Sequence, residues 1–200
     1  MQSWQTDYRR QGARLPCVNN NMKKIFSIIL AAIAGIFGTA AKPSQIKPTG
    51  QTEVYIPEEE YAVVSFAMDG EPRVGVFNKN IMQLEPKEAF GWFISLLSDF
   101  NIGAQMPDEN EMAKMADFCD GLTDRLIMDP NHQNVCFLGR VTGAGQTRMM
   151  WYANNPELAH NLLQKIIEKK DYPFDFKYEI FHDPEWEYAR YWLSPLNGES

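Results

Sequence analysis

Hydrophobic and polar positions alternate in some stretches of this chain and recur every three or four residues in others, and the two periods predict its elements. Residues 61–68 (YAVVSFAM) and 73–78 (RVGVFN) are apolar runs around Asp69-Gly70-Glu71-Pro72, which predicts a hairpin. Over 90–100, Trp92, Ile94 and Leu96 alternate as in a strand, while Phe93 and Leu97 also fit a helix turn. The aromatic and Ile content, with Pro107-Asp108 soon after, favours a buried strand. Asp108 and Glu111 are spaced as a capping box. Met112, Met115, Cys119, Leu122 and Leu126 then recur at helical spacing, up to Met128 and the stop at Asp129-Pro130.

Residues 135–142 and 147–152 flank Gly143-Ala144-Gly145 and predict a second hairpin. A Gly-Ala-Gly followed by a strand is a turn, since a phosphate loop needs a helix N-terminus behind it. Asn155-Pro156-Glu157 opens another helix, with Leu158, Leu162, Leu163, Ile166 and Ile167 as its inner face. Residues 172–181 alternate as a strand. In the last segment Asp183 reads as an N-cap, with Pro184 at the first helical position, Glu185 and Glu187 in the first turn and Pro195 as the stop. Its Trp186, Ala189 and Leu193 stripe is expected to cover an exposed part of the core at a sheet edge.

From residue 90 onward the order is strand, helix, strand, strand, helix, strand. That βαββαβ order is the ferredoxin-like pattern, an antiparallel sheet with two helices on one face. The predicted class is therefore α+β: a ferredoxin-like core, an added N-terminal β-hairpin that extends the sheet, and a C-terminal aromatic helix. Cys136-Phe137-Leu138-Gly139-Arg140-Val141, Met150-Trp151-Tyr152, Asp183-Pro184-Glu185-Trp186-Glu187-Tyr188 and Leu193-Ser194-Pro195 together resemble the C-terminal half of the domain-of-unknown-function 695 family. The resemblance is clearest over 135–195 and rests on element order over 61–126. That family is commonly grouped with the regulator of ribonuclease E activity B. The resemblance implies the fold and an action through binding a protein, with no established reaction.

The N-terminal part follows another pattern. Lys23 and Lys24 precede residues 25–37, which carry no charge and a single Ser, and then come Gly38-Thr39-Ala40-Ala41. A basic start, a short apolar run and small residues are the three parts of a secretory signal. Residues 1–21 are polar, carry Arg9, Arg10 and Arg14, and are expected to be a disordered extension upstream of a true start at Met22. Residues 22–41 are then a signal peptide or, uncleaved, a membrane anchor with its basic flank on the cytoplasmic side. A buried helix of a cytosolic protein is the third reading, because the apolar run is shorter than the roughly twenty residues of a spanning helix. Residues 42–57, rich in Pro, Thr, Gln and Gly, read as a linker, and 58–200 as a single α+β domain.

Without residues 1–41 the chain carries 14 Lys and Arg against 25 Asp and Glu, a net charge of −11. So acidic a surface repels phosphate backbones and points away from nucleic acid, toward another protein, one with a basic surface included. Cys119 and Cys136 lack the spacing and companions of a metal or redox site and read as small buried hydrophobes. An oxidising compartment would permit a disulfide between them. His132, His160 and His182 are scattered, and no Gly-x-Ser-x-Gly elbow occurs. No cofactor, no metal and no catalytic constellation is expected.

Asp183, Glu185 and Glu187 form the densest carboxylate group, which capping explains without a substrate. Trp186, Tyr188, Tyr191 and Trp192 cannot all face inward from one helix, so some aromatic surface should remain exposed. The candidate interaction surface is accordingly Asp183, Glu187, Tyr188, Tyr191 and Trp192. The expected role is that of a non-catalytic protein-interaction or regulatory domain, exported into a bacterial-type envelope or beyond, or tethered to the membrane. The alternatives are a small envelope hydrolase or ligand-binding enzyme using Asp183 and Glu187, and a cytosolic regulator of the ribonuclease E regulator kind.

Overall fold

The computed structural model describes residues 54–99, 107–128 and 133–198, together with a two-residue strand at 45–46. The signal or anchor expected over 22–41 and the extension over 1–21 lie outside the described residues. Two short strands, β1 (Gln45–Ile46) and β2 (Val54–Tyr55), pair with each other. The main body is a six-stranded antiparallel sheet. Its strands are β3 (Tyr61–Met68), β4 (Glu71–Asn78), β5 (Trp92–Asp99), β6 (Val135–Gly143), β7 (Gln146–Ala153) and β8 (Phe176–His182). Helix α1 (Glu109–Ile127) joins β5 to β6, α2 (Pro156–Lys169) joins β7 to β8, and α3 (Glu187–Leu193) follows β8. The chain is thus of the mixed α+β class, with strand order β3-β4-β6-β7-β5-β8.

Side chains alternate across the strands and fill two cores, one on each face of the sheet. Ile94, Leu96, Val135, Phe137, Met149, Trp151 and Ala153 point to the face covered by α1 and α2. They meet Met115, Phe118, Cys119, Leu122 and Leu126 of α1 and Ala159, Leu163 and Ile166 of α2. Phe93, Cys136, Leu138, Met150 and Tyr152 point the other way, with Phe77, and meet Trp186, Ala189, Trp192 and Leu193. The C-terminal aromatic helix therefore covers the second face of the sheet, not an edge. Burial on both sides also explains the mixed period over 92–97, because a central strand has no polar face to alternate with.

The local start signals act as the spacing predicts. Asp108 accepts the Glu111 N–H at 2.8 Å while the Glu111 carboxylate accepts the Asp108 N–H at 3.1 Å, so both halves of the capping box form. Asn155 accepts the N–H groups of Glu157 and Leu158 at 3.0 and 3.2 Å, with Pro156 in the first turn. On α2, however, Leu158 is 42% exposed, and the buried line runs through Ala159, Leu163 and Ile166. One residue is about 100° of helix rotation, so a face centred on 159, 163 and 166 turns 158 toward solvent. Strand β8 begins at Phe176, later than the alternation from 172 predicts, although Tyr172 and Phe174 still pack on the helix-covered core.

Two further points depend on pairing between distant segments. The β6–β7 register shifts between Phe137 and Gly139, so Leu138 is an inserted bulge residue. Gly139 and Gly75 leave room for the Phe77 ring, which a Cβ at either position would strike. The folded body also reaches upstream of Glu58, into the segment that composition marks as a linker. Tyr55 N–H donates to Glu85 O at 2.7 Å, and Ile56 is 8% exposed within the second core. No described helix is long and apolar enough to cross a membrane.

Candidate functional site

The candidate site is the junction of β8 and α3 with the sheet beneath it. After His182 the Asp183 N–H donates to Gly91 O at 2.8 Å, and the Trp186 N–H closes a turn onto Asp183 O at 3.1 Å. Trp186 itself adopts φ 55°, in the left-handed region, and α3 begins only at Glu187. Pro184 and Glu185 thus belong to the turn, not to the first helical positions. The reason is tertiary: the turn drives the Trp186 indole into the second core. There it stacks on Tyr152 with ring centroids 4.0 Å apart and 12° between planes. Its Nε1–H is shared between Phe90 O at 3.1 Å and Lys87 O at 3.2 Å.

Asp183 keeps its capping chemistry from a displaced position. Its carboxylate accepts the N–H groups of Glu187 and Tyr188, each at 3.0 Å, two of the orphan donors of the first turn. The same carboxylate accepts the Tyr152 hydroxyl at 2.5 Å, and that hydroxyl accepts the Ala189 N–H at 3.0 Å. Three donors therefore occupy Asp183, which is 6% exposed. Burial, followed by the hydrogen bond to Asp183 and its charge, raises the Tyr152 phenol far above its ordinary value near 10. Burial raises Tyr61 likewise, helped by the charge of Glu59, which accepts the Tyr61 hydroxyl at 2.7 Å.

An alkaline limb of stability follows from these two phenols. The unfolded chain releases their protons as pH passes about 10 while the folded chain holds them, so the stabilisation is complete below that pH and falls above it. The slope should reach about 1.4 kcal/mol per pH unit for each phenol. Unfolding free energies from urea titrations at pH 9 to 12 should show it. Tyr152→Phe should remove one phenol's share of the slope, and an unchanged slope in that variant would place the proton release on unfolding elsewhere.

The five residues of the expected interaction surface divide. Asp183 and Trp192 are buried, at 6% and 9% exposure, and belong to the scaffold. Glu187, Tyr188 and Tyr191 are on the surface, the tyrosines at 44% and 49%. Tyr188 stacks on Phe93 at 5.1 Å and 15°, and touches Phe181 at 4.6 Å. Tyr191 meets Trp192 edge-on at 5.3 Å. One residue not singled out in the sequence joins them: the Arg148 guanidinium carbon lies 5.6 Å from the centre of the Trp192 ring. Its signal was a lone cation inside the apolar run of β7.

The remaining chemistry-bearing residues do not converge. The His182 ring meets Trp92 with centroids 4.7 Å apart and the planes tilted by 46°, and His160 Nδ1 pairs with the Tyr178 hydroxyl at 2.9 Å. His132 lies outside the described residues. Among the described residues no group of His, Cys, Asp and Glu could hold a metal ion. Cys119 and Cys136 are free and buried, in separate cores on opposite faces of the sheet, which forbids the disulfide that the compartment would have permitted. Burial pushes the Cys119 thiol up to about 12, against the opposing pull of Arg140, and raises Cys136 as well. Neither is a nucleophile at neutral pH.

The family model described as Family of unknown function (DUF695) matches residues 60–193. No curated protein and no solved structure matches the chain.

Proposed function

We propose, for a chain that belongs to the DUF695 family of unknown function, a non-catalytic role as a protein-interaction domain whose contact surface is the outer face of α3. The observation that carries this reading is Tyr188. It is 44% exposed, yet its ring rests on Phe93 and its backbone N–H is held by the buried Asp183. An aromatic side chain fixed before contact loses little conformational entropy on binding, which is how exposed tyrosines become affinity anchors. Tyr191 and Glu187 extend the same face. A basic or polar partner surface fits the acidic character of residues 42–200, whose net charge is −11.

The core beneath this face is best read as ferredoxin-like. The support is the order β6-β7-β5-β8, with β5 between β7 and β8 and both α1 and α2 packed on one side. The place of action is best read as outside the cytoplasm, or at the membrane. Lys23 and Lys24, the uncharged run 25–37 and the small residues 38–41 support it. N-terminal sequencing of the native protein tests it: a start at or near Lys42 is expected, and an intact Met1 or Met22 would leave the anchor or the cytosolic regulator. An acid/base enzyme built on Asp183 and Glu187 is the weaker reading, because three internal donors already fill the Asp183 carboxylate.

The interaction surface has its own test. A photo-crosslinking residue at position 188 should yield a discrete adduct with a second protein in the native host. Tyr188→Ala with Tyr191→Ala should then weaken that complex by about 2 kcal/mol, roughly thirty-fold in Kd, while the near-ultraviolet circular dichroism of the core stays unchanged. Absence of any adduct, or an unchanged Kd, would remove α3 as the contact surface.

A further inference from the structure

We propose that Arg148, Ser95 and Trp192 form a recognition site for a single carboxylate group on the sheet face that carries α3. Arg148 is half-buried on β7 and stands directly across from Leu97 of β5 and Val141 of β6. Alternation places it on the same side as Met150 and Tyr152, beside the C-terminal helix. Its Nη1 donates to the Ser95 hydroxyl, and Ser95 is 4% exposed. The guanidinium carbon lies 5.6 Å from the centre of the Trp192 ring, itself packed into the second core. A buried hydroxyl and an aromatic ring thus hold the cation on two sides and set its orientation.

What is missing is an acid. The ion pairs of the described residues join Lys79 to Glu60, Lys87 to Glu85 and Arg125 to Asp171, and none involves Arg148. No buried side-chain nitrogen or oxygen among the described residues lacks a hydrogen-bond partner, so the remaining guanidinium N–H groups reach solvent. Arg148 has therefore given up part of its hydration without gaining a counter-charge, and it keeps an open, planar donor fork. Such a fork matches a carboxylate with two parallel hydrogen bonds, and a ring beside it limits the planes that the ligand can occupy.

The surrounding charges refine the ligand class. Glu179 pairs across from Ser95 and is exposed, and Asp99, on the same face, accepts the Gln146 amide at 2.9 Å. Lys177, opposite Leu97, is the nearby cation on that row. Two flanking acids disfavour a dianion such as phosphate and leave a monocarboxylate as the better fit. Such a group could be a free small acid or the end of a peptide. The site does not depend on α3 docking a partner, since none of its donors comes from Tyr188 or Tyr191.

The test is a titration of the full chain with sodium acetate, and separately with inorganic phosphate and sodium chloride, following the Trp192 indole Nε1–H resonance in every variant and the Arg148 Nε–H resonance as well in the unsubstituted chain. Acetate should shift them saturably, with phosphate at least tenfold weaker and chloride giving no saturation. Arg148→Lys keeps the charge and loses the fork, and it should weaken acetate at least tenfold. Ser95→Ala should weaken it by a smaller factor, and Tyr188→Ala, whose ring packs on Phe93 and Phe181 and not on Trp192, should leave it unchanged, which separates this site from the α3 surface. A short peptide with a free C-terminus, compared with its amidated form, decides the source. Tighter binding of the free peptide than of acetate assigns a protein terminus, and equal binding assigns a small acid. A linear, unsaturable response to acetate, or equal affinity in Arg148→Lys, would overturn the proposal.

Discussion

Replacing Trp186 with Ala is expected to lower the free energy of unfolding by about 4 kcal/mol, the ordinary cost of truncating a buried tryptophan. The indole is fully buried and stacked on Tyr152 at 4.0 Å. Its removal opens a cavity in the second core and takes the Nε1–H from Phe90 O and Lys87 O. Trp186→Phe keeps a ring in the stack and loses only the donor, so its cost should be smaller by about 2 kcal/mol or more. Urea unfolding followed by far-ultraviolet circular dichroism measures both. A loss below about 1 kcal/mol for the alanine variant would mean that the indole is not in the core.

Asp183→Ala is the second large effect, at about 3 kcal/mol. Hydrogen bonds to a charged acceptor are the strong ones, and this carboxylate takes three: the Tyr152 hydroxyl and the N–H groups of Glu187 and Tyr188. Alanine leaves the phenol without its acceptor and returns two amides of α3 to water. A double-mutant cycle with Tyr152→Phe isolates the shared bond and should give a coupling of about 1 kcal/mol or more. Hydrogen exchange at Glu187 and Tyr188 should accelerate in Asp183→Ala while exchange in β5 and β7 follows only the global change. A cycle with no coupling would show that the phenol and the carboxylate stabilise α3 independently.

These two residues also mark where sequence patterns stop being informative. Asp183-Pro184-Glu185 carries every local sign of a helix start, and the helix nevertheless begins at Glu187. The cap signal was chemically right, because Asp183 does accept first-turn amides, and positionally wrong, because Trp186 turns into the core before the helix can form. Trp192 shows the same limit from the other side. Four large aromatics on one short helix imply that some are exposed, but only the covered face of the sheet decides that Trp186 and Trp192 go in while Tyr188 and Tyr191 stay out. Arg148 could not be recognised from the sequence as the neighbour of Trp192, since 44 positions separate them along the chain.

The amino-acid sequence alone determined the kind and order of the elements from β3 to α3, the capping box at Asp108 and Glu111, the Asn155 cap, and the burial of both cysteines. Each of these depends on residues a few positions apart, where backbone geometry and side-chain period act directly. The tertiary structure decided the rest: the strand order, the two-sided core, the exposure of Leu158, the bulge at Leu138 and the separation of Cys119 from Cys136. Those outcomes turn on which distant segment covers which face of the sheet. A chain carries no local record of that, because opposite faces of a doubly covered strand are equally apolar.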